Sequence, residues 1–481
     1  MSALWKRTVE GLLVAALAAL FFQAVMFRQG TFVYLFHKAS TGAWIDEGAR
    51  VAAGEVPYRD FQDRVAPGIL YLNAALLRAG GERLATFAWA GVAMGCLLTL
   101  ALHALAGAIV RGPWRLAPPA VFAVLVYPRF DLGHPKWPAL LLVLCAVGMV
   151  LHARGRPLWT AAAGAAAGLA MAFTPVFGLA ALAGIALHLL REDAPRRSVV
   201  PALVAGALLA VAWPALALAA RAGPTAVESW LGPVRSARPL VLMPWRWSAF
   251  NVAWLALVLA GLTAAVWRMR ATDRAGERLV ARAGLVLFAA IAAGYVGPYG
   301  LAVHATLLTV LAAAAAEVLE GSPRWPGRWV AGMLAGGLAT AAAAQIVWRQ
   351  RVEPLVGVEF RAGRCWIGAP NLELPWIESR TRAGDRVFVF PVGGGSYFLT
   401  RTRNATTLPF AVEGQASLED QRRALAEIEA ARPAVGVWMG GQRVPPPAGG
   451  VPLDTLYDGI LRSYRPERTL PDGTLLLLRR D

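Results

Sequence analysis

Long apolar runs, broken by short polar segments, occupy the first three quarters of the chain. A bilayer core is crossed by about 20 apolar residues in a helix. On that measure the pattern predicts about eleven spans, near residues 8–27, 84–110, 116–128, 138–153, 158–173, 175–190, 199–220, 249–267, 283–301, 303–319 and 329–348. The pair at 158–190 reads as a tight hairpin turning at Thr174-Pro175. The longest early polar interruption, residues 28–82, holds two short helical patterns. One runs from about Ile45 to Ala53. The other opens at Pro67, a favoured first helical residue, and ends near Arg78 before Gly80-Gly81.

Past residue 350 the pattern changes. Arg386–Phe390 reads as a strand after the turn Ala383-Gly384-Asp385. Leu418–Ala431 reads as an amphipathic helix, Ala434–Trp438 as a buried strand, and Thr474–Leu478 as a last strand. The stretch 350–378 reads as irregular, and Gly393-Gly394-Gly395 as a plain turn; it lacks the Gly-Lys-Ser/Thr ending of a phosphate loop. The expected organisation is therefore a helical membrane domain over 1–348, with its first outer loop at 28–82, and a small α/β domain over 349–481.

Composition agrees. The chain has 481 residues, 57% hydrophobic and 16% charged, against roughly 25% charged in an average soluble domain. Lys and Arg outnumber Asp and Glu, 47 to 30, for a formal charge of +17. No aromatic-basic module accompanies that charge, so nucleic acid is not an expected partner; membrane headgroups are. Cys96 and Cys145 lie inside apolar runs and Cys365 stands alone, which is no disulfide framework. Lys6 and Arg7 precede a first run without a clear cleavage site, so it reads as an uncleaved span. Arginine density in the short loops puts the N-terminus inside a cytoplasmic (inner) membrane. An odd number of spans puts the 28–82 loop and the C-terminal domain outside.

The candidate chemistry lies in the 28–82 loop. Asp46-Glu47 follows Trp44-Ile45, which belongs at the headgroup level. Tyr58, Arg59, Asp60, Asp63 and Arg64 follow, before the helix from Pro67. A carboxylate held down at both ends of a loop can serve as a general base. Arg50, Arg59 and Arg64 can keep it ionised or bind phosphate in bidentate fashion. Gly48 and Gly54 read as turn residues. Asp46, Glu47, Asp60 and Asp63 could also supply oxygens to a divalent metal, although nothing in their spacing fixes a geometry. Further cations near span ends are Arg129, Lys136 (in His134-Pro135-Lys136-Trp137), Arg246 and His304. Each suits a lipid phosphate, and each suits an interface anchor whose charged tip snorkels to water.

These motifs resemble those of the membrane glycosyltransferases of the GT-C fold, in the bacterial branch related to the protein mannosyltransferases and the aminoarabinose transferase of lipid A. The resemblance rests on Asp46-Glu47, on Gly54-Glu55-Val56-Pro57-Tyr58-Arg59-Asp60-Phe61, on Ala66-Pro67-Gly68 with Tyr71, on Gly297-Pro298-Tyr299 with His304, and on two C-terminal segments. Those segments are Gly384–Val389 and Tyr397–Arg401. Thr174-Pro175 and Ala66-Pro67 depart from the pattern, which elsewhere has a charged turn and a double proline.

The resemblance implies transfer of a hexosyl or pentosyl group, with inversion, from a polyprenyl-phosphate carrier to a glycan, lipid or protein acceptor on the outer face. It implies Asp46 as base with Glu47 second. Arg59, Arg64, Arg129, Lys136, Arg246 and His304 are the phosphate candidates; Tyr58, Asp60 and Asp63 shape the loop. No cofactor is called for beyond the possible metal. The rival readings are a lipid-linked sugar transporter and a non-catalytic envelope-assembly protein. A transporter needs polar groups in mid-membrane, whereas this chain keeps its charges at span ends.

Overall fold

A computed structural model describes residues 3–27, 40–61, 65–127, 134–153, 155–192, 196–235, 241–242, 249–292, 295–296, 298–320, 327–351, 355–368, 373–391, 393–409, 411, 416–439 and 451–480. The helical part comprises α1 (Ala3–Phe27), α2 (Ser40–Ala52), α3 (Gly68–Gly80), α4 (Leu84–Ile109), α5 (Ala117–Val121), α6 (Lys136–Ala153), α7 (Pro157–Phe173), α8 (Pro175–Arg191), α9 (Arg196–Ala222) and α10 (Pro224–Arg235). After β1 (Val241–Leu242) come α11 (Ala249–Ala271) and α12 (Ala275–Ala292). After β2 (Tyr295–Val296) come α13 (Pro298–Glu320) and α14 (Gly327–Arg351). β1 and β2 pair in parallel. Among the described residues, Leu84–Ile109, Lys136–Ala153 and Val199–Ala222 are long and apolar enough to cross a membrane, and five shorter apolar helices accompany them.

The helices pack on one large apolar core containing Phe22, Leu98, Leu140, Val147, Phe177 and Leu308. Their polar ends are clipped by ion pairs. Arg268 of α11 donates from Nε to Glu277 of α12 at 2.6 Å, across a connection of only Thr272–Arg274. Arg278 grips Glu192 after α8 at 2.7 and 2.8 Å. The segment 268–282, left between two expected spans, is mostly helix, and Glu192 and Glu277 pair with its Arg268, Arg274, Arg278 and Arg282. Two other expectations are corrected. The run at 283–301 leaves the helix at Ala292 and a new helix opens at Pro298, and the expected loop after residue 220 contains α10.

The C-terminal part holds β3 (Leu355–Phe360), β4 (Gly363–Gly368), α15 (Glu373–Arg380), β5 (Arg386–Phe390), α16 (Gly394–Thr400), β6 (Arg403–Asn404), α17 (Leu418–Ala431), β7 (Val435–Trp438), α18 (Asp454–Ser463), β8 (Tyr464–Thr469) and β9 (Leu475–Arg479). The five-stranded sheet runs β6-β5-β7-β9-β8. β5 is parallel to β6 and β7, while β7–β9 and β8–β9 are antiparallel. A parallel pair needs a long crossover, and α16 and α17 lie between β5 and β7. α17 starts at a capping box, where the Ser417 hydroxyl accepts the Asp420 N–H and the Asp420 carboxylate accepts the Ser417 N–H, both at 3.1 Å.

The stretch 350–378 is not irregular: β3 and β4 form an antiparallel hairpin and α15 follows. Nor is Gly393-Gly394-Gly395 a plain turn, since α16 begins there and lies against α2. A Cβ on Gly394 would come within 2.2 Å of Ala43 Cα, so only glycine lets the two backbones meet. Gly48 is likewise an interior residue of α2 and not a turn residue; a Cβ there would strike Asn73 Cβ of α3 at 2.5 Å. Gly54, by contrast, does occupy a turn, with φ +103°.

Gly394→Val is expected to cost about 1–3 kcal/mol of stability by overpacking the α2–α16 seam. Thermal unfolding of the purified chain measures it, and an unchanged midpoint would show the seam to be slack.

Candidate functional site

α2 is held on two sides. Ile45 packs with Leu77, Phe87, Phe360, Leu374 and Phe398, drawn from α3, α4, β3, α15 and α16. Trp44 and Val51 pack with Phe61, Ile69 and Leu70. Asn73 of α3 donates from Nδ2 to the Trp44 carbonyl at 3.0 Å. Residues three and four apart share a helix face, so Ala43, Asp46 and Arg50 line up. Ala43 meets Gly394, while Asp46 and Arg50 border a cavity of about 760 Å³ between α2 and the C-terminal sheet.

Asp46 is 8% exposed and Glu47 fully buried. Burial pushes the Asp46 carboxyl up to about 7, against the pull of Arg50 and with a small push from Glu55. Arg50 is fixed in place. Its Nε donates to Glu55 Oε2 at 2.7 Å, its Nη2 reaches the Asp60 carbonyl at 3.3 Å, and its guanidinium lies 4.4 Å from the Phe61 ring centre. Its Nη1 is buried with no hydrogen-bond partner among the described residues.

The 54–61 segment is a rigid brace. Arg59 grips Asp60 through Nε and Nη2, both at 2.8 Å, and the Val56 N–H donates to Asp60 Oδ2 at 2.7 Å. The Arg59 bond, then that N–H, hold the Asp60 carboxyl down at about 2. Tyr58 adopts a left-handed φ of 66° and donates its hydroxyl to the Val65 carbonyl.

The far wall of the cavity comes from the sheet region: Arg386, Tyr397, Arg401, Arg403, Asn404 and Glu427. The Tyr397 hydroxyl accepts the Val389 N–H at 2.8 Å, and burial pushes its ionisation well above the usual range, with the Asp46 charge adding to the effect. The Asn404 side chain is used locally: Oδ1 accepts the Thr406 N–H at 3.0 Å and Nδ2 donates to the Leu408 carbonyl at 3.1 Å.

Of the sequence candidates, Asp46 borders this cavity together with Asp60. Glu47 and Arg59 are not in its lining. Arg59 spends two donors on Asp60 and reaches the Arg221 carbonyl from Nη1 at 3.3 Å. Lys136 opens α6; its N–H donates to His134 Nδ1 at 3.2 Å, and the His134 ring stands edge-on to Trp44 at 5.1 Å. Burial, and then Lys136, hold His134 neutral, well below its ordinary titration range. Asp63, Arg64, Arg129 and Arg246 lie outside the described residues, as does the side chain of His304. No group of three or more His, Cys, Asp or Glu side chains converges as metal ligands among the described residues.

Sequence reasoning passed over Arg403, Asn404 and Glu427. They are scattered through the C-terminal part and meet Asp46 only in the fold. Tyr397 and Arg401 carried a signal, as part of a motif used for the resemblance.

With this geometry the architecture is identified as the GT-C fold of membrane glycosyltransferases, and the apolar helices place the chain in a membrane. The aminoarabinose transferase ArnT of Cupriavidus metallidurans, bound to undecaprenyl phosphate, superposes with a TM-score of 0.60 at 13% identity, covering 98% of each chain. Its apo form gives 0.59 at 15% identity, over 99% of this chain and 98% of that one. The apo oligosaccharyltransferase of Archaeoglobus fulgidus gives 0.58 at 11% identity, over 90% of this chain and 70% of its own. Neither a protein-family model nor a curated protein matches the sequence.

The Asp46 carboxyl keeps its proton in the folded chain up to about pH 7, while an unfolded Asp releases it near 3.8. Stability falls as pH rises between these values, by about 4 kcal/mol in all. Asp46→Asn removes the ionisation. Its melting temperature is expected to exceed that of the wild type at pH 8 and to match it at pH 4; equal melting at both would mean that Asp46 is solvated.

Proposed function

We propose that this chain is a glycosyltransferase of the cytoplasmic membrane that moves a sugar from a polyprenyl-phosphate carrier to an acceptor, with inversion at the sugar carbon. The carrying observation is Asp46: a nearly buried carboxyl with a pKa near 7, bordering a large cavity beside a fixed guanidinium. A base works best when its pKa lies near the working pH. Asp46 takes the proton of the acceptor hydroxyl as that oxygen attacks the anomeric carbon, and the polyprenyl phosphate leaves with the bonding electrons.

Arg50 serves two ends in this scheme. Its charge stabilises the Asp46 carboxylate, and its Nη1 supplies a donor for a ligand oxygen. Asp60 and Tyr58 keep Arg50 and its loop in place and take no part in proton transfer. Lys136 and the cations at Arg64, Arg129, Arg246 and His304 are the carrier-phosphate candidates. A leaving phosphate at the membrane face needs positive charge nearby. The fold likeness to a transferase bound to undecaprenyl phosphate supports this donor class. The reading includes a membrane domain over 1–348 and an outer α/β domain over 349–481, with the cavity between them open to acceptors from outside. The acceptor class is a glycan, lipid or protein hydroxyl.

The cavity beside Asp46 favours the enzyme over a non-catalytic assembly protein, which has no use for a buried carboxyl poised near neutrality. The test is sugar transfer from a polyprenyl-phosphate-linked donor by the purified chain in lipid. Asp46→Asn is expected to lower turnover about 10²–10⁴-fold. The wild-type rate should climb with pH to a plateau above about pH 7, since the carboxylate is the active form. Full activity of the Asn variant would remove Asp46 from the chemistry.

A further inference from the structure

A second cavity, of about 300 Å³, lies where the start of α4 meets the β3–β4 turn and the end of α16. Its charged lining is Arg83, Arg361, Arg364 and Arg401, and the remainder is Leu84, Ala85, Ala362 and Gly363. No carboxylate is in that lining. Four arginines border one small space, and positive charge gathered in one place favours an anion there.

The wall is built. The Leu84 N–H donates to the Ala362 carbonyl at 3.1 Å, tying the hairpin turn to α4. Arg361 donates from Nη1 to the Thr400 carbonyl and from Nη2 to the Glu378 carbonyl, each at 2.8 Å, and also to the Thr381 carbonyl. Carbonyl oxygens orient its guanidinium, and its backbone N–H donates to the Glu378 carboxylate at 2.7 Å. Arg401 donates to the Glu82 carbonyl at 3.3 Å. Arg83 makes no side-chain hydrogen bond or ion pair among the described residues.

The place also matters. α4 is one of the helices long and apolar enough to cross a membrane, and Arg83 immediately precedes it. A pocket with an arginine rim and an apolar floor at a span end sits where lipid phosphates lie. Guanidinium matches phosphate in bidentate geometry.

We propose that this cavity binds a phosphate ester, at a site separate from the Asp46 cavity. An anionic phospholipid headgroup and free inorganic phosphate present the same chemistry. Arg401 borders both cavities, so an occupied phosphate site holds still a residue of the Asp46 cavity wall.

The test is native mass spectrometry of the full chain in neutral detergent with added phosphatidylglycerol, with diacylglycerol as the lipid lacking phosphate. Phosphatidylglycerol should be retained and diacylglycerol lost. Arg83→Gln with Arg364→Gln should cut retention about tenfold, and the paired Lys variants, which keep the charge, should retain most of it. Displacement of the lipid by inorganic phosphate marks a site that accepts the free anion; persistence marks a lipid site. If the double variant does not fold, Arg83→Gln alone carries the test. Asp46→Asn should bind as the wild type does, so a failed transferase assay leaves this result standing. Equal retention of both lipids, or wild-type retention in the Gln variants, overturns the proposal.

Discussion

A carboxyl group taken out of water must be matched by charge or remain protonated, and the neighbourhood of Asp46 is arranged around that condition. Desolvation is the main cause that pushes its pKa up, and Arg50 limits the rise. Arg50 can do so only while it is held, and Glu55, the Asp60 carbonyl and the Phe61 ring hold it. Asp60 in turn is anchored by Arg59 and by the Val56 N–H. One buried charge therefore accounts for most of the polar density between residues 46 and 61. Mobile charges in the same loop would leave Asp46 either exposed and weakly basic or buried and uncharged.

The C-terminal sheet region completes this environment. It meets α2 through backbone at Gly394 against Ala43, one helical turn before Asp46, and through the side chains of Phe360, Leu374 and Phe398 against Ile45. Tyr397 follows on α16 and closes one wall of the cavity. The short helix that begins at a glycine run has poor intrinsic propensity; packing against α2 compensates for it. The protein thus divides its labour. Apolar helices set a membrane frame, two short helices hold the carboxyl at its edge, and the sheet region covers it with polar and cationic groups.

Much of the frame was legible because its signals are local. Runs of apolar residues and the turn at Thr174-Pro175 place most of the long helices nearly where they lie. α17, with Ser417 as its cap, and strands β5, β7 and β9 obey simple periodicity. The hairpin β3–β4 escaped because two six-residue strands interrupted by glycine have little pattern of their own. They hold together through pairing from Leu355 with Gly368 to Phe360 with Gly363. α16 escaped because three glycines resemble a turn until another helix presses on them.

The sequence by itself determined that the chain is a helical membrane protein with a terminal α/β region, and that Asp46 stands in a charged segment between apolar runs. Hydropathy and periodicity act over neighbouring residues, so one chain suffices to read them. Only the tertiary structure decided which charges share a space. Arg50 joins Asp46, Arg59 turns away to Asp60, and Arg403 and Glu427 come to the same cavity from hundreds of residues downstream. Desolvation and Coulomb interaction depend on distance and burial in space, and neither is a property of position along the chain.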